Sequence, residues 1–249
     1  MCGRFKPKVD NWAELYELLS MFGREPPQRE LYEKSEIRPT NNYPVIHERL
    51  VDGKPDGYEV EIMRWSLIPN WFNKDLADFK LTSFNAKIEE AADKPTFRSA
   101  MKHRHCVVPV DYFWEWFGPH PHDAKKKQRQ DILRADNHEM VFAGIWDTAT
   151  LADGVTIKSF TLMTRAAGDD LTGYHTREPV TLVGDEIKLW LDRKPVASID
   201  PVPNEDGEKV WPSAPKGTFR FKPSDFVEEP AAPRKPKVKA PATEQDSLL

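Results

Sequence analysis

Cysteine is nearly absent from this chain, with Cys2 and Cys106 the only two in 249 residues. Two thiols cannot build a disulfide framework, and such sparing use suits a reducing cytosol. Also missing is any apolar run near the roughly 18 residues of a membrane span, so no membrane partner is expected. The opening segment, MCGRFKPKVD, lacks the apolar stretch of a secretory signal, which points to a cytoplasmic protein rather than an exported one. Positive charge is not in excess either. Lys and Arg number 36 against 40 Asp and Glu, a formal net charge of −4. That balance excludes a generally basic nucleic-acid coat and leaves room for a local basic groove. No internal repeat of fixed period is present.

What the chain does have is length and aromatic mass. Its 249 residues fit one large domain or two small ones, and 8 Trp and 13 Phe can fill a core without disulfides. Proline, at 22 residues, favours turns and strand edges over long helices. Trp12, Leu15, Tyr16, Leu19 and Phe22 follow helical spacing after a cap at Asp10 or Asn11, and Gly23 closes that helix. The stretch from Glu25 to Glu36 reads as loop. Tyr58, Val60 and Ile62 alternate with acids and lead into Met63–Trp65, the pattern of a half-buried strand. Short helices are predicted over Asp93–His105, with Pro95 at the start, and over Asp185–Leu191. Cys106–Val110, Asp111–Trp116, Met140–Trp146 and Val155–Thr164 read as strands. A polar hairpin or loop, Gly118–Arg129, carries Lys125, Lys126 and Lys127.

From Glu228 the composition turns to Pro, Ala, Lys and Glu without apolar periodicity. Residues 228–249 are therefore expected to form a disordered tail behind a domain of residues 1–227. Strands spread between a few short helices, without βαβ alternation, give an α+β class. A single domain with a mainly antiparallel or mixed sheet and short flanking helices is expected.

Cys2 is the first candidate for chemistry. Removal of Met1 would leave a 1,2-aminothiol, a cysteine with a free α-amine of pKa near 8. Such a group attacks one aldehyde twice, the amine giving an imine and the sulfur closing a five-membered thiazolidine. An internal cysteine cannot do this.

Eight segments, the first of them holding Cys2, recur in order. MCGRF, IRPT at Ile37–Thr40, MRWSLIPNW at Met63–Trp71 and FNAK at Phe84–Lys87 come first. KPTFRSA at Lys94–Ala100, CVVP-VDYFWEW at Cys106–Trp116, FAGIWD at Phe142–Asp147 and HTREPV at His175–Val180 follow. In this order they resemble the SOS-response-associated peptidase (SRAP) family, the abasic-site processing proteins, over roughly Cys2 to Trp211. The resemblance implies a single α+β domain with a curved sheet and a groove for single-stranded DNA. It also implies a covalent link from the N-terminal cysteine to the opened sugar of an abasic site, and autoproteolytic loss of Met1. A monomer without cofactor or metal is expected, acting in the cytoplasm and on the nucleoid when bound to DNA.

Residue by residue, Cys2 aligns with the family nucleophile and Asn85 with an asparagine that hydrogen-bonds around it. Glu115 aligns with the catalytic glutamate, where flanking Trp and Phe would raise a carboxyl pKa toward neutrality. His175 aligns with the histidine that assists ring opening and protonates leaving groups. For DNA contact the resemblance points to Arg4 on a phosphate, to Trp71 and Phe72 as a stacking wedge, and to Pro39 and Thr40 along the groove. Lys87 and Thr164 complete that set, while Trp65 and Trp116 read as core. Two departures stand out. Lys87 replaces the usual arginine and loses its bidentate fork, and Glu178 adds an acid that would raise the pKa of His175 if close.

Three other readings compete. An N-terminal-nucleophile glutamine amidotransferase also begins Met-Cys-Gly, but its Arg-Gly and Asn-Gly motifs are missing. A zinc site would draw on His103, His105 and Cys106 with His120 and His122, which lack clean paired spacing. A non-catalytic single-strand binding module would bind intact and abasic DNA alike.

Overall fold

The computed structural model describes residues 2–8, 12–21, 27–28, 36–120, 123–136 and 138–224. The predicted caps Asp10 and Asn11, Phe22 and Gly23, nearly all of the 25–36 loop, and the 228–249 tail lie outside the described residues. Among the described residues there are three short α-helices: α1 (Trp12–Leu18), α2 (Arg98–His103) and α3 (Asp185–Leu191). The strands are β1 (Phe5–Pro7), β2 (Asn42–Val51), β3 (Lys54–Trp65), β4 (Asn85–Lys87), β5 (His105–His120), β6 (Asp123–Arg134) and β7 (Met140–Thr150). They continue with β8 (Thr156–Ala166), β9 (Arg177–Pro179), β10 (Thr181–Leu182), β11 (Val202–Pro203), β12 (Lys209–Val210) and β13 (Phe219–Pro223).

Eleven of these strands form one mixed sheet, and the sheet closes on itself. β2 pairs with β3, β3 runs parallel to β8, β8 pairs with β7, β7 with β5, and β5 with β2. This ring of five is a small barrel. β5 is longer than the barrel needs, and its second half leaves to pair with β1 on one side and β6 on the other. The two strands predicted at Cys106–Val110 and Asp111–Trp116 are thus one. Of the segment Gly118–Arg129, expected as a polar hairpin or loop, residues 118–120 end β5 and 123–129 begin its antiparallel partner β6, with Lys125–Lys127 exposed. The helix expected over Asp93–His105 is confined to Arg98–His103, and the segment before it is a series of turns.

Alternation along the strands builds two cores. Val45, Met63, Trp65, Cys106, Val108, Phe142, Phe160 and Leu162 fill one. Ile46, Val107, Ala143 and Ile145 point the other way and pack against Trp12 and Leu15 of α1 and Ile187 and Trp190 of α3. The barrel is tight at Gly144, where a Cβ would lie 2.9 Å from Cys106 Sγ and 3.1 Å from the Thr161 carbonyl. Only glycine fits there without displacing a neighbour.

Candidate active site around Cys2

β1 holds the start of the chain against the outer half of β5. Phe5 lies opposite Phe113, and the Trp114 N–H donates to the Arg4 carbonyl at 3.2 Å. The same carbonyl accepts the Cys2 thiol at 3.6 Å. Cys2 is only 1% exposed. Burial pushes its thiol far above the usual cysteine range, and the negative charge of Glu115 adds to that effect. The sulfur is therefore held as a neutral S–H.

Asn85 reaches Cys2 from the opposite side of the sequence. β4 lies parallel to β8, with Asn85 opposite Leu162, which aims the Asn85 amide at the chain start. Its Nδ2 donates to the Cys2 carbonyl at 2.8 Å. Its Oδ1 is buried and has no hydrogen-bond partner among the described residues.

Glu115 sits on β5 between Phe113 and Phe117 on the same face, opposite Gln130 of β6. It is half-buried, whereas both phenylalanines are buried. His175 lies in the turn before β9. Tyr174 beside it stacks on Phe117 with ring centroids 4.1 Å apart, so this turn covers the same stretch of β5 that carries Glu115. His175 Nδ1 lies 3.1 Å from both the N–H and the carbonyl of Arg177, which anchors the ring to the start of β9 and leaves Nε2 as its other nitrogen.

The opposite face of β5 carries cations and indoles. Arg129 stacks over Trp114 at 3.8 Å and Arg4 over Trp116 at 4.9 Å. The buried carboxylate of Glu36 gathers Arg4 at 3.4 Å, Arg129 at 3.1 Å and Arg38. Trp65 is core. Trp116, expected there too, is half-buried and carries Arg4 instead.

Of the residues expected to contact DNA, Trp71 is 53% exposed, with its indole N–H bonded to the Pro95 carbonyl at 3.1 Å. Thr40 is exposed at a positive φ of 77°, Pro39 is half-buried, and Lys87 is exposed and paired with Glu90 at 2.8 Å. Two residues depart from expectation. Phe72 is buried in a small core with Ile68 and Ala149, its ring edge-on to Phe79 at 5.0 Å, so it is no exposed wedge. Thr164 is fully buried, its hydroxyl donating to the Ala86 carbonyl at 3.3 Å, and supports the site from behind.

Glu178 also differs from expectation. It is buried, bonded to Arg165 at 2.8 Å, and accepts the backbone N–H of Gly168 and Ala214. That carboxylate is a structural joint rather than a neighbour tuning His175. The weighed zinc cluster does not assemble: His105 is buried against Trp190 with both ring nitrogens on backbone carbonyls, and His103 is exposed. His122 lies outside the described residues.

Sequence reasoning overlooked Arg177, Glu89 and Glu36. Arg177 forks onto Glu89 at 2.8 and 2.7 Å and donates to the Thr164 carbonyl at 2.6 Å, tying β9 to the turn after β4 and to β8. The only available signal was their nearness to Ile37, Asn85 and His175, with Arg177 alone inside a recurring segment.

Comparison with known proteins agrees with this architecture. An abasic site processing protein of Bacillus subtilis, YoqW, is 27% identical over 196 residues, covering 78% of this chain and 81% of its own. The Xenopus tropicalis abasic site processing protein HMCES is 28% identical over 59% of this chain and 48% of its own. A crystal structure of a Bordetella bronchiseptica protein superimposes with a TM-score of 0.64 at 23% identity, over 90% of this chain and 100% of the other, and so shares the fold. The family model of the SOS response associated peptidase (SRAP) matches residues 1–207, and the chain belongs to that family.

Proposed function

We propose that this protein processes abasic sites in single-stranded DNA as part of a DNA-damage response, capturing them covalently through Cys2. The observation that carries this reading is the meeting of Cys2 with Asn85 and Glu115, which lie 83 and 113 positions further along the chain. Names given to relatives, such as YoqW and HMCES, support the substrate. Among the described residues no helix is long and apolar enough to cross a membrane.

The chemistry begins with hydrolysis of the Met1–Cys2 bond, which consumes one water and frees the Cys2 amine. His175 assists opening of the abasic sugar to its aldehyde. The amine adds to the aldehyde carbon, and loss of one water gives an imine. The thiol then adds across C=N: sulfur bonds to carbon, and the proton leaves sulfur and arrives on nitrogen. Glu115 moves that proton, which the protonated thiol cannot deliver unaided. Asn85 holds the Cys2 carbonyl so that nitrogen and sulfur face the same carbon. Trp71 stacks on a base beside the lesion, and Arg4 draws the phosphate.

Intact-mass measurement after incubation with abasic and intact oligonucleotides tests this reading. The expected product is protein lacking Met1 joined to the abasic strand with loss of one water, and none with the intact strand. A variant with a bulky residue inserted before Cys2 should bind DNA and form no stable adduct. A stable adduct on that variant, or none on the unaltered protein, overturns the mechanism.

A further inference from the structure

Outside the Cys2 site, His47, Glu59 and Glu61 converge on the β2–β3 pair. His47 is directly opposite Glu59, and Glu61 is two residues further along the same face. The imidazole is 2% exposed and packs on Trp146 with centroids 4.7 Å apart. Its Nδ1 lies 2.8 Å from the Glu48 carbonyl, an atom that can only accept. With Nδ1 turned to that carbonyl, Nε2 is the ring nitrogen turned to the carboxylates, and it would give a lone pair to an ion that replaces any proton there.

Nε2 lies 3.1 Å from its hydrogen-bond partner Glu61 Oε2 and 3.8 Å from Glu59 Oε1. One donor atom from each of the three residues lies within 4.8 Å of the others. Ligand atoms about 2.1 Å from a tetrahedral zinc stand about 3.4 Å apart, a value the two distances bracket. An N–H to a backbone carbonyl is also the outer contact that orients metal-binding histidines. Both carboxylates are about one-third exposed, which opens the site to an incoming ion and to water as a further ligand.

Positive charge is already drawn here. Lys158 donates to Glu61 Oε2 at 2.6 Å and lies over the Trp146 ring at 5.6 Å. A bound cation would displace its ammonium from the carboxylate, and the indole face would keep it as a partner. We propose that His47, Glu59 and Glu61 form a binding site for a divalent transition-metal ion of the zinc type, which ties β2 to β3. Imidazole with two carboxylates is a donor set such ions accept.

Calorimetric titration of the full chain with zinc tests the proposal. One zinc per chain is expected, weakened about tenfold or more by Glu59→Gln and by Glu61→Gln. Lys158→Met should tighten it, because the competing ammonium is gone. All three changes are at solvent-accessible side chains, and circular dichroism checks that each variant is folded. Absence of saturable binding, or zinc affinity indifferent to all three changes, overturns the proposal and leaves His47 as a hydrogen-bond partner of Glu61.

Discussion

Asn85 and Cys2 are joined by a single hydrogen bond of 2.8 Å, from a side-chain amide on a three-residue strand to the carbonyl of the chain's second residue. This bond fixes the start of the chain more firmly than β1 alone, which pairs with β5 over only three residues.

Asn85→Ala should therefore loosen residue 2 without dismantling the barrel. Loss of one such bond costs about 1 kcal/mol of stability. Adduct formation should fall much more, on the order of 10²-fold, because the two nucleophilic atoms lose their common aim. Thermal unfolding and an adduct time course measured together check both halves.

The pairing of a neutral thiol with Glu115 gives a prediction in pH. Burial and then Glu115 raise the Cys2 pKa in the folded state above the ordinary value of 9.0. Its contribution to stability is complete below that value and is lost as pH rises, because only the unfolded chain then releases the proton. Unfolding free energy should decline above about pH 9, and Cys2→Ser should remove part of the decline. Glu115→Gln should lower the pH at which iodoacetamide alkylates Cys2, while slowing adduct formation by about 10²–10⁴-fold. A faster thiol in a slower enzyme is the signature expected.

Trp71 and Phe72 are neighbours with opposite fates. Trp71→Ala should weaken single-strand binding by about 1–3 kcal/mol and leave the melting temperature nearly unchanged. Phe72→Ala should cost about 3–5 kcal/mol of stability, since its ring fills a small buried cluster. Fluorescence anisotropy and urea unfolding on the same two variants separate these effects.

Glu178→Ala should destabilise the protein by about 3–5 kcal/mol, because the buried Arg165 guanidinium and two backbone N–H groups lose their acceptor. The pH profile of adduct formation in the surviving folded protein should match that of the unaltered chain.

Where apolar residues set the pattern, the sequence is readable. Ile187, Trp190 and Leu191 mark α3 at its observed bounds, and the alternation from Tyr58 marks most of β3. β6 is the contrary case. Gln128, Arg129, Gln130 and Asp131 show no apolar alternation, yet Arg129 and Asp131 are buried. Their partners are Glu36, Trp114 and Lys222, all distant in sequence, so nothing local announces a strand. β5 reads as two strands because Pro109 and Asp111 look like a break. In the barrel the Pro109 carbonyl is instead an acceptor for the Tyr43 hydroxyl at 2.6 Å. The site follows the same rule. Individually, Cys2, Asn85 and Glu115 give no sign of meeting, and only the order of the surrounding segments suggested it. Phe72 and Thr164 were misplaced because sequence order says nothing about which loop residue turns inward.

The buried, protonated thiol of Cys2 makes the protein a poor target for the reagents that accompany DNA damage. Peroxide and small alkylating agents react with exposed thiolate, and this sulfur offers neither exposure nor charge. In the proposed chemistry, an aldehyde that first engages the freed Cys2 amine would meet no such barrier, since sulfur then joins within one residue and needs no free anion. Under the proposed mechanism, burial of Cys2 would sort electrophiles by the order in which they must form bonds, and an oxidising cell would leave the thiol unspent until an opened sugar arrives.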